Sequence, residues 1–265
     1  MSVEVPESPR SVSSNISGSP PALNPSTISI LDSFLSSKIE QEQLFNQISA
    51  QAPAAALAGL ALDTDAEDED EREMISVDDY RTAFGEDWQL SQFWYTTAFA
   101  NRLAESIHSL CNPSTSVAFV CCPTAFVASQ HLYPRKNDRL LEFDQRFSVL
   151  APKKFVLYDL NEPDDFPDTL KASVDIAVVD PPYLNDRTNI KIAQTIRQIL
   201  RPSGKLIVIT SKSVVPALRE IYNEPPLGPL KEAALVVEHG RLTNDFACWG
   251  SWEGAEHFGE ELFEE

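Results

Sequence analysis

The sequence predicts an α/β fold: a mainly parallel sheet with helices on both faces, closed by an antiparallel hairpin. Three observations lead there. Short apolar strands alternate with helical periodicity from about residue 116 onward. The strand segments are apolar almost throughout, as parallel strands covered on both faces must be. Three successive strand segments end in aspartate, at Asp144, Asp159 and Asp180, the edge where open α/β sheets bind ligands.

Each element can be justified in order. Residues 1–27 are Ser- and Pro-rich and bury too little apolar area to offset their ordering entropy. Over residues 28–48, Ile28, Leu31, Phe34, Leu35, Ile39, Phe45 and Ile48 share roughly one helical face. That helix is expected to dock on the domain or fray. A small Ala-rich stretch, Ala50 to Leu62, leads into an acidic run, "DTDAEDEDEREM", expected as a solvated linker. Residues 1–75 are thus expected to be a disordered extension holding one amphipathic helix. The domain is expected over 76–253, with a loose acidic tail at 254–265.

Within the domain, "WQLSQFWY" is aromatic-dense and precedes a helix with Phe99, Leu103, Ile107 and Leu110 inward, capped by Thr96 or Thr97. "SVAFVCC" reads as the first strand and "TAFVASQHLY" as a helix. "RLLEFD", "KFVLYD" and "VDIAVVD" read as the next three strands. A helix follows over 184–200, then "GKLIVITS" as the fifth strand and "VVPALREIY" as a short helix. "KEAALVVEHG" and "DFACWGSW" form the closing hairpin.

Composition narrows the function. The chain holds 40 acidic and 21 basic residues, a net charge of −19. Residues 1–80 carry 15 acidic and 3 basic residues, and residues 81–265 carry 25 and 18, so neither part is basic. An acidic surface repels phosphate backbones, which argues against nucleic acid as a partner. Cys111, Cys121, Cys122 and Cys248 have no metal-site or disulfide spacing. The expectation is a cytoplasmic monomer with reduced thiols, no metal, no targeting peptide and no membrane span.

The strand ends carry the chemistry. A carboxylate after the second strand suits the ribose hydroxyls of an adenosine cofactor. Asp144 is the candidate there, with Glu142 its rival on the same strand face. Asp159, one strand on, suits an adenine amine. After the fourth strand stands "DPPY". Asp180 can accept one N–H of a nucleophilic nitrogen and the Pro181 carbonyl another, while the prolines stiffen the loop. The Tyr183 ring can cover the substrate group. The alternative is a rigid turn after a buried strand. Gln92, Trp94 or Tyr95 is expected to line the cofactor or amine pocket, with Phe246, ahead of Trp249, expected at the substrate channel. Of the four histidines, His108 and His239 suggest no ligand set.

"DPPY" resembles the Asp/Asn-Pro-Pro-Tyr/Phe motif of class I S-adenosylmethionine-dependent methyltransferases that modify nitrogen. With "DWQLSQFWY", "LLEFDQRF" and "LTNDFACW", it resembles the eukaryotic elongation factor 1-alpha lysine methyltransferase family over roughly residues 80–252. The resemblance implies a Rossmann-like seven-stranded sheet and S-adenosyl-L-methionine as cofactor. It also implies methyl transfer to a lysine amine of the translation factor, its protein partner. One departure stands out: the loop after the first strand, "VAFVCCPTAF", has no glycine, so Cys121, Cys122, Pro123 and Thr124 must meet the cofactor differently. Cys121 and Pro123 are the expected contacts, with Pro123 starting a helix whose free N–H groups face an anion. The competing functions are a nucleic-acid adenine methyltransferase, which DPPY also serves, and a non-catalytic binding protein on the same fold.

Overall fold

The structure, a computed structural model, describes residues 24–51, 74–242 and 245–260. The expectations for residues 1–23, for most of the Ala-rich and acidic stretch (52–73), and for the last five residues lie outside it.

Seven strands form one sheet in the order β3-β2-β1-β4-β5-β7-β6. They are β1 Val117–Val120, β2 Arg139–Glu142, β3 Phe155–Leu157, β4 Val174–Val179, β5 Leu200–Ser211, β6 Lys231–Glu232 and β7 Phe246–Gly250. β1 pairs in parallel with both β2 and β4, β3 with β2 and β5 with β4, while β7 runs antiparallel to β5 and β6. The order reverses beside β1, so a crevice opens beyond the carboxyl ends of β1 and β4.

Strand alternation divides the core. Phe119, Leu140, Ile176, Val178, Ile207 and Ile209 face one side, and Ala118, Val120, Leu141, Ala177, Val179 and Val208 the other. The helices, in chain order, are α1 Pro25–Gln51, α2 Val77–Ala83, α3 Thr97–Ser109, α4 Pro123–Leu132, α5 Asp186–Ile199 and α6 Val215–Ile221. Apolar residues of α2, α3 and α4 fill the first side; those of α5 and α6 fill the second. Thr96 caps α3, its side chain accepting from Phe99 N at 3.2 Å. Asn185 caps α5 by accepting from Thr188 N at 2.9 Å.

The chain divides into two compact units, the first ending at Ile39 and the second running from Glu40. In the first, Ile28, Leu31, Phe34, Leu35 and Ile39 are exposed. In the second, Leu44, Phe45 and Ile48 of α1 pack into the core, as do Met74 and Ile75.

Three elements differ from expectation. β6 is two residues long, because after Glu232 the backbone turns toward the C-terminal segment: Ala234 N donates to Glu256 O at 3.1 Å and Leu235 N to Phe258 O at 3.0 Å. Those same bonds anchor residues 254–260, where Ala255 and Phe258 are buried despite the surrounding acid. β5 begins at Leu200, directly after α5, because Leu200 pairs with Val174 ahead of a bulge.

Candidate active site

The carboxyl ends of β1 to β4, the segment Leu90–Tyr95 and the start of β7 surround a cavity of about 550 Å³. Nine of the ten expected site residues line it: Gln92, Trp94, Cys121, Pro123, Asp159, Asp180, Pro181, Tyr183 and Phe246. Asp144 does not. Tyr95, Glu142 and His239 do.

Asp180 sits where β4 ends, its N–H donating to Val120 O at 3.1 Å. The buried Tyr95 hydroxyl donates to Asp180 Oδ2 at 2.6 Å, across 85 positions of sequence. That bond leaves Oδ1 for another donor. Burial pushes the Asp180 carboxyl up to about 7; Tyr95 pulls it down and the Glu142 charge adds to the rise. The Tyr95 ring packs edge-on against Phe99, with centroids 4.9 Å apart, and its backbone bridges to His239.

Glu142 ends β2. Its Oε1 accepts from the backbone N–H groups of Phe143 at 2.9 Å and Asp144 at 3.2 Å. Both bonds fall on one oxygen, so the other has no partner among the described residues. Burial raises this carboxyl to about 7 against the pull of those two bonds. Asp144 points elsewhere. Its two oxygens take a forked hydrogen-bond pair from Arg146, with the shortest contact 2.6 Å, plus Gln92 Nε2 at 3.1 Å. It also caps the short helical turn Gln145–Val149 through Arg146 N. Its pKa is lowered, because the Arg146 and Gln92 bonds outweigh burial. Gln92 is therefore engaged as well, its Oε1 facing Arg146 Nη2 at 3.5 Å.

The glycine-free loop has its own solution. Cys121 takes a φ of 56°, the left-handed conformation that glycine adopts most readily. Cys122 Sγ donates to Val178 O at 3.2 Å. Burial, with the Glu142 and Asp180 charges, raises both thiols well above the usual range, which suits structural rather than nucleophilic cysteines. α4 begins with Pro123 in its first turn and no side-chain cap. Beyond β3, Asp159 accepts from Asn161 N at 2.7 Å through Oδ1, and no described group bonds its other oxygen.

The aromatics divide between core and cavity. Trp94 is 4% exposed; its indole donates to Phe84 O at 2.6 Å and its ring packs against Tyr80 and Phe147, so its main role is in the core. Tyr183 also has a positive φ of 60°, its hydroxyl donating to Gln89 O at 2.9 Å and its N–H to Ser91 Oγ at 3.2 Å. Phe246 lies 4.4 Å from His239, centroid to centroid. Burial lowers the His239 pKa to about 4, so the ring is neutral at pH 7; neither nitrogen has a hydrogen bond of ordinary geometry, though the Phe93 carbonyl slightly favours the charged form. No sequence signal marked His239. Its partners come from segments far apart in the chain.

Among the described residues no His, Cys, Asp or Glu cluster suits a metal ion, and no helix is long and apolar enough to cross a membrane.

Comparison with known proteins agrees with this geometry. Residues 86–254 match the family model described as "Probable N6-adenine methyltransferase". The chain is 33% identical over 187 residues to "Protein-lysine N-methyltransferase EFM5" of Saccharomyces cerevisiae, covering 64% of this chain and 73% of that protein. It is 33% identical to "EEF1A lysine methyltransferase 1" of Homo sapiens, covering 63% and 76%. The same-named protein of Gallus gallus is 35% identical, with 62% and 74% covered. The family model over residues 86–254 and these relatives, each covered to about three quarters of its length, place the chain in the EEF1A lysine methyltransferase family of class I S-adenosylmethionine-dependent methyltransferases, and its seven-stranded sheet with DPPY at the end of the fourth strand agrees with that.

Proposed function

We propose that the protein transfers a methyl group from S-adenosyl-L-methionine to a lysine ε-amine of translation elongation factor 1-alpha, in the cytoplasm. One observation carries the lysine reading. Asp180, its Oδ2 held by Tyr95, keeps Oδ1 for a cationic amine in a cavity that also contains Glu142 and Asp159.

The cavity fits the cofactor. Glu142, with one oxygen unpartnered, is the ribose acceptor, and Asp159 is the acceptor for the adenine amine. The left-handed turn at Cys121 and the uncapped start of α4 offer backbone to the amino-acid end. When bound, the cofactor supplies an electrophilic methyl on a positively charged sulfur, which keeps the C–S bonding pair as the amine nitrogen bonds the carbon.

The chain's own residues prepare the amine. An ammonium has no lone pair, and reaching the neutral form at pH 7 costs about 4–5 kcal/mol from a reference pKa of ~10.4. With a carboxyl at about 7, Asp180 is a better proton acceptor than an ordinary aspartate. Oδ1 takes the proton from the ammonium, and the Pro181 carbonyl holds a remaining N–H. Tyr183 and Phe246 exclude water from the amine. The rate therefore rises with pH from 6 to 9, first as Asp180 ionises and then as the amine deprotonates. An adenine amine carries no such proton and lacks the second rise.

The test is incubation of the protein and labelled S-adenosylmethionine with purified elongation factor 1-alpha, and separately with DNA and RNA. Label on a lysine of the factor supports the reading. Label on adenine of nucleic acid overturns it, and binding of the cofactor without transfer to any acceptor would make the protein a non-catalytic binder.

A further inference from the structure

The mouth of the cavity is apolar on one side, and of that surface the transfer chemistry uses only Tyr183. Trp88 is 69% exposed and stands on the short helical turn Trp88–Leu90, its ring 5.5 Å from that of Phe93. Tyr183, 48% exposed, is tied to the same turn through Gln89 and Ser91. Leu90, Phe143 and Leu157 face one shallow depression beside it, with Phe143 51% and Leu157 49% exposed. Leu90, Phe143 and Tyr183 also line the cavity, so depression and cavity are continuous. Large apolar side chains clustered this way on an otherwise acidic surface mark a contact site, and tryptophan is the residue most often dominant in such contacts.

The charge around the collar selects the partner. Residues 86–91, 142–146, 157–165 and 180–187 contribute two, two, four and two carboxylates, against two basic residues, Arg146 and Arg187. Arg146 is already paired with Asp144 at 2.6 Å. A phosphate backbone would be repelled here, although bases stack on exposed aromatic rings. A protein surface with apolar side chains among lysines or arginines is complementary in both shape of charge and apolarity.

We propose that Trp88, Leu90, Phe143, Leu157 and Tyr183 form the docking surface for the protein substrate, seating a basic, partly apolar patch beside the acceptor lysine. The inference rests on the lysine reading and adds what lies outside the cavity: recognition extends to the folded surface around the lysine.

Trp88→Ala and Leu157→Lys test it, because neither residue lines the cavity. Binding of purified elongation factor 1-alpha is measured by calorimetry with S-adenosylhomocysteine present, and steady-state transfer is measured alongside. We expect each variant to weaken binding and raise KM for the factor at least tenfold, with unchanged kcat and cofactor affinity. Leu157→Lys, which adds a repelling charge, should be the more severe. Unchanged binding and KM in both variants would overturn the docking surface, as would a loss confined to kcat. A wild-type chain that binds the factor through this surface yet methylates none of its lysines would keep the docking surface and remove the lysine chemistry. Tighter binding of a polyadenylate strand than of the factor, lost in Trp88→Ala, would assign the collar to nucleic acid and overturn the proposal.

Discussion

Asp180, Tyr95 and Glu142 each make a separable contribution. Asp180→Ala removes the amine's acceptor and should abolish transfer, while calorimetry shows S-adenosylmethionine affinity within about threefold of wild type, under 1 kcal/mol. Asp180→Asn keeps an acceptor oxygen but neither the charge nor a useful base, so it should recover little activity. Tyr95→Phe removes a hydrogen bond that lowers the Asp180 pKa. The midpoint of the first limb of the pH–rate profile should therefore move upward, and the rate at pH 7 should drop about 10- to 100-fold, the worth of one charge-assisted bond. An unmoved midpoint would show that Tyr95 does not tune Asp180. Glu142→Ala should weaken cofactor binding by a similar factor through loss of a ribose bond. Asp144→Ala should instead lower the thermal midpoint, since its forked pair with Arg146 and its bond from Gln92 hold the Gln145–Val149 turn. Equal affinity in Glu142→Ala would return the ribose role to another residue.

At the scale of the element, the later part of α1 decides what can be removed. A chain starting at residue 76 lacks Leu44, Phe45, Ile48, Met74 and Ile75, all packed on the main core. Phe45 meets Phe84 edge-on at 5.5 Å, and the Met74 carbonyl lies 2.7 Å from His131 Nδ1. Each large buried side chain is worth about 1.5–3 kcal/mol. We therefore place the domain boundary near Glu40 and expect the chain from residue 40 to keep the wild-type thermal midpoint. Loss of Ile48, the one of the five that is fully buried, should alone lower the melting point of the chain from residue 76 by roughly 3–12 °C at about 2–4 °C per kcal/mol, and loss of the four partly buried side chains should add to that. Equal midpoints for the two truncations would move the boundary back to residue 76.

For the whole molecule, the buried carboxyls set how stability varies with pH. Asp180 and Glu142 are raised to about 7 in the folded state, above their unfolded values near 4. Their stabilising contribution is complete below pH 4 and is lost as pH rises through 7. His239 acts in the opposite sense: its pKa falls from 6.5 to about 4, so stability is lost as pH falls from 6.5 to 4. Two groups outweigh one, and self-repulsion of the −19 charge adds to them. The thermal midpoint of the free protein should fall between pH 5 and pH 8. Glu142→Gln combined with Asp180→Asn should flatten that dependence; an unchanged slope in the double variant would show that these carboxyls ionise normally.

By itself, the sequence determined the order of elements, the two faces of the sheet and the strand ends that meet at the cavity. Those follow from apolar periodicity, caps such as Thr96 and Asn185, and the rule that ligands sit beyond parallel strand ends. It narrowed the ribose carboxylate to Glu142 or Asp144, but alternation puts both on one face. Our proposal of Glu142 turns on Arg146, whose reach to Asp144 no periodicity reports. DPPY stood out because its residues are adjacent in the chain. His239 did not, because its contacts come from a bridge between distant segments; Tyr95 is one of three pocket candidates, but its bond to Asp180 spans 85 positions and no local pattern reports it. Trp94 lines the cavity, yet its indole donates to the Phe84 carbonyl and its ring packs in the core. Aromatic density in a sequence does not say which way a ring faces. Only the folded chain decides that, because burial and the shift of Asp180 toward 7 arise from side chains that meet after the sheet has closed.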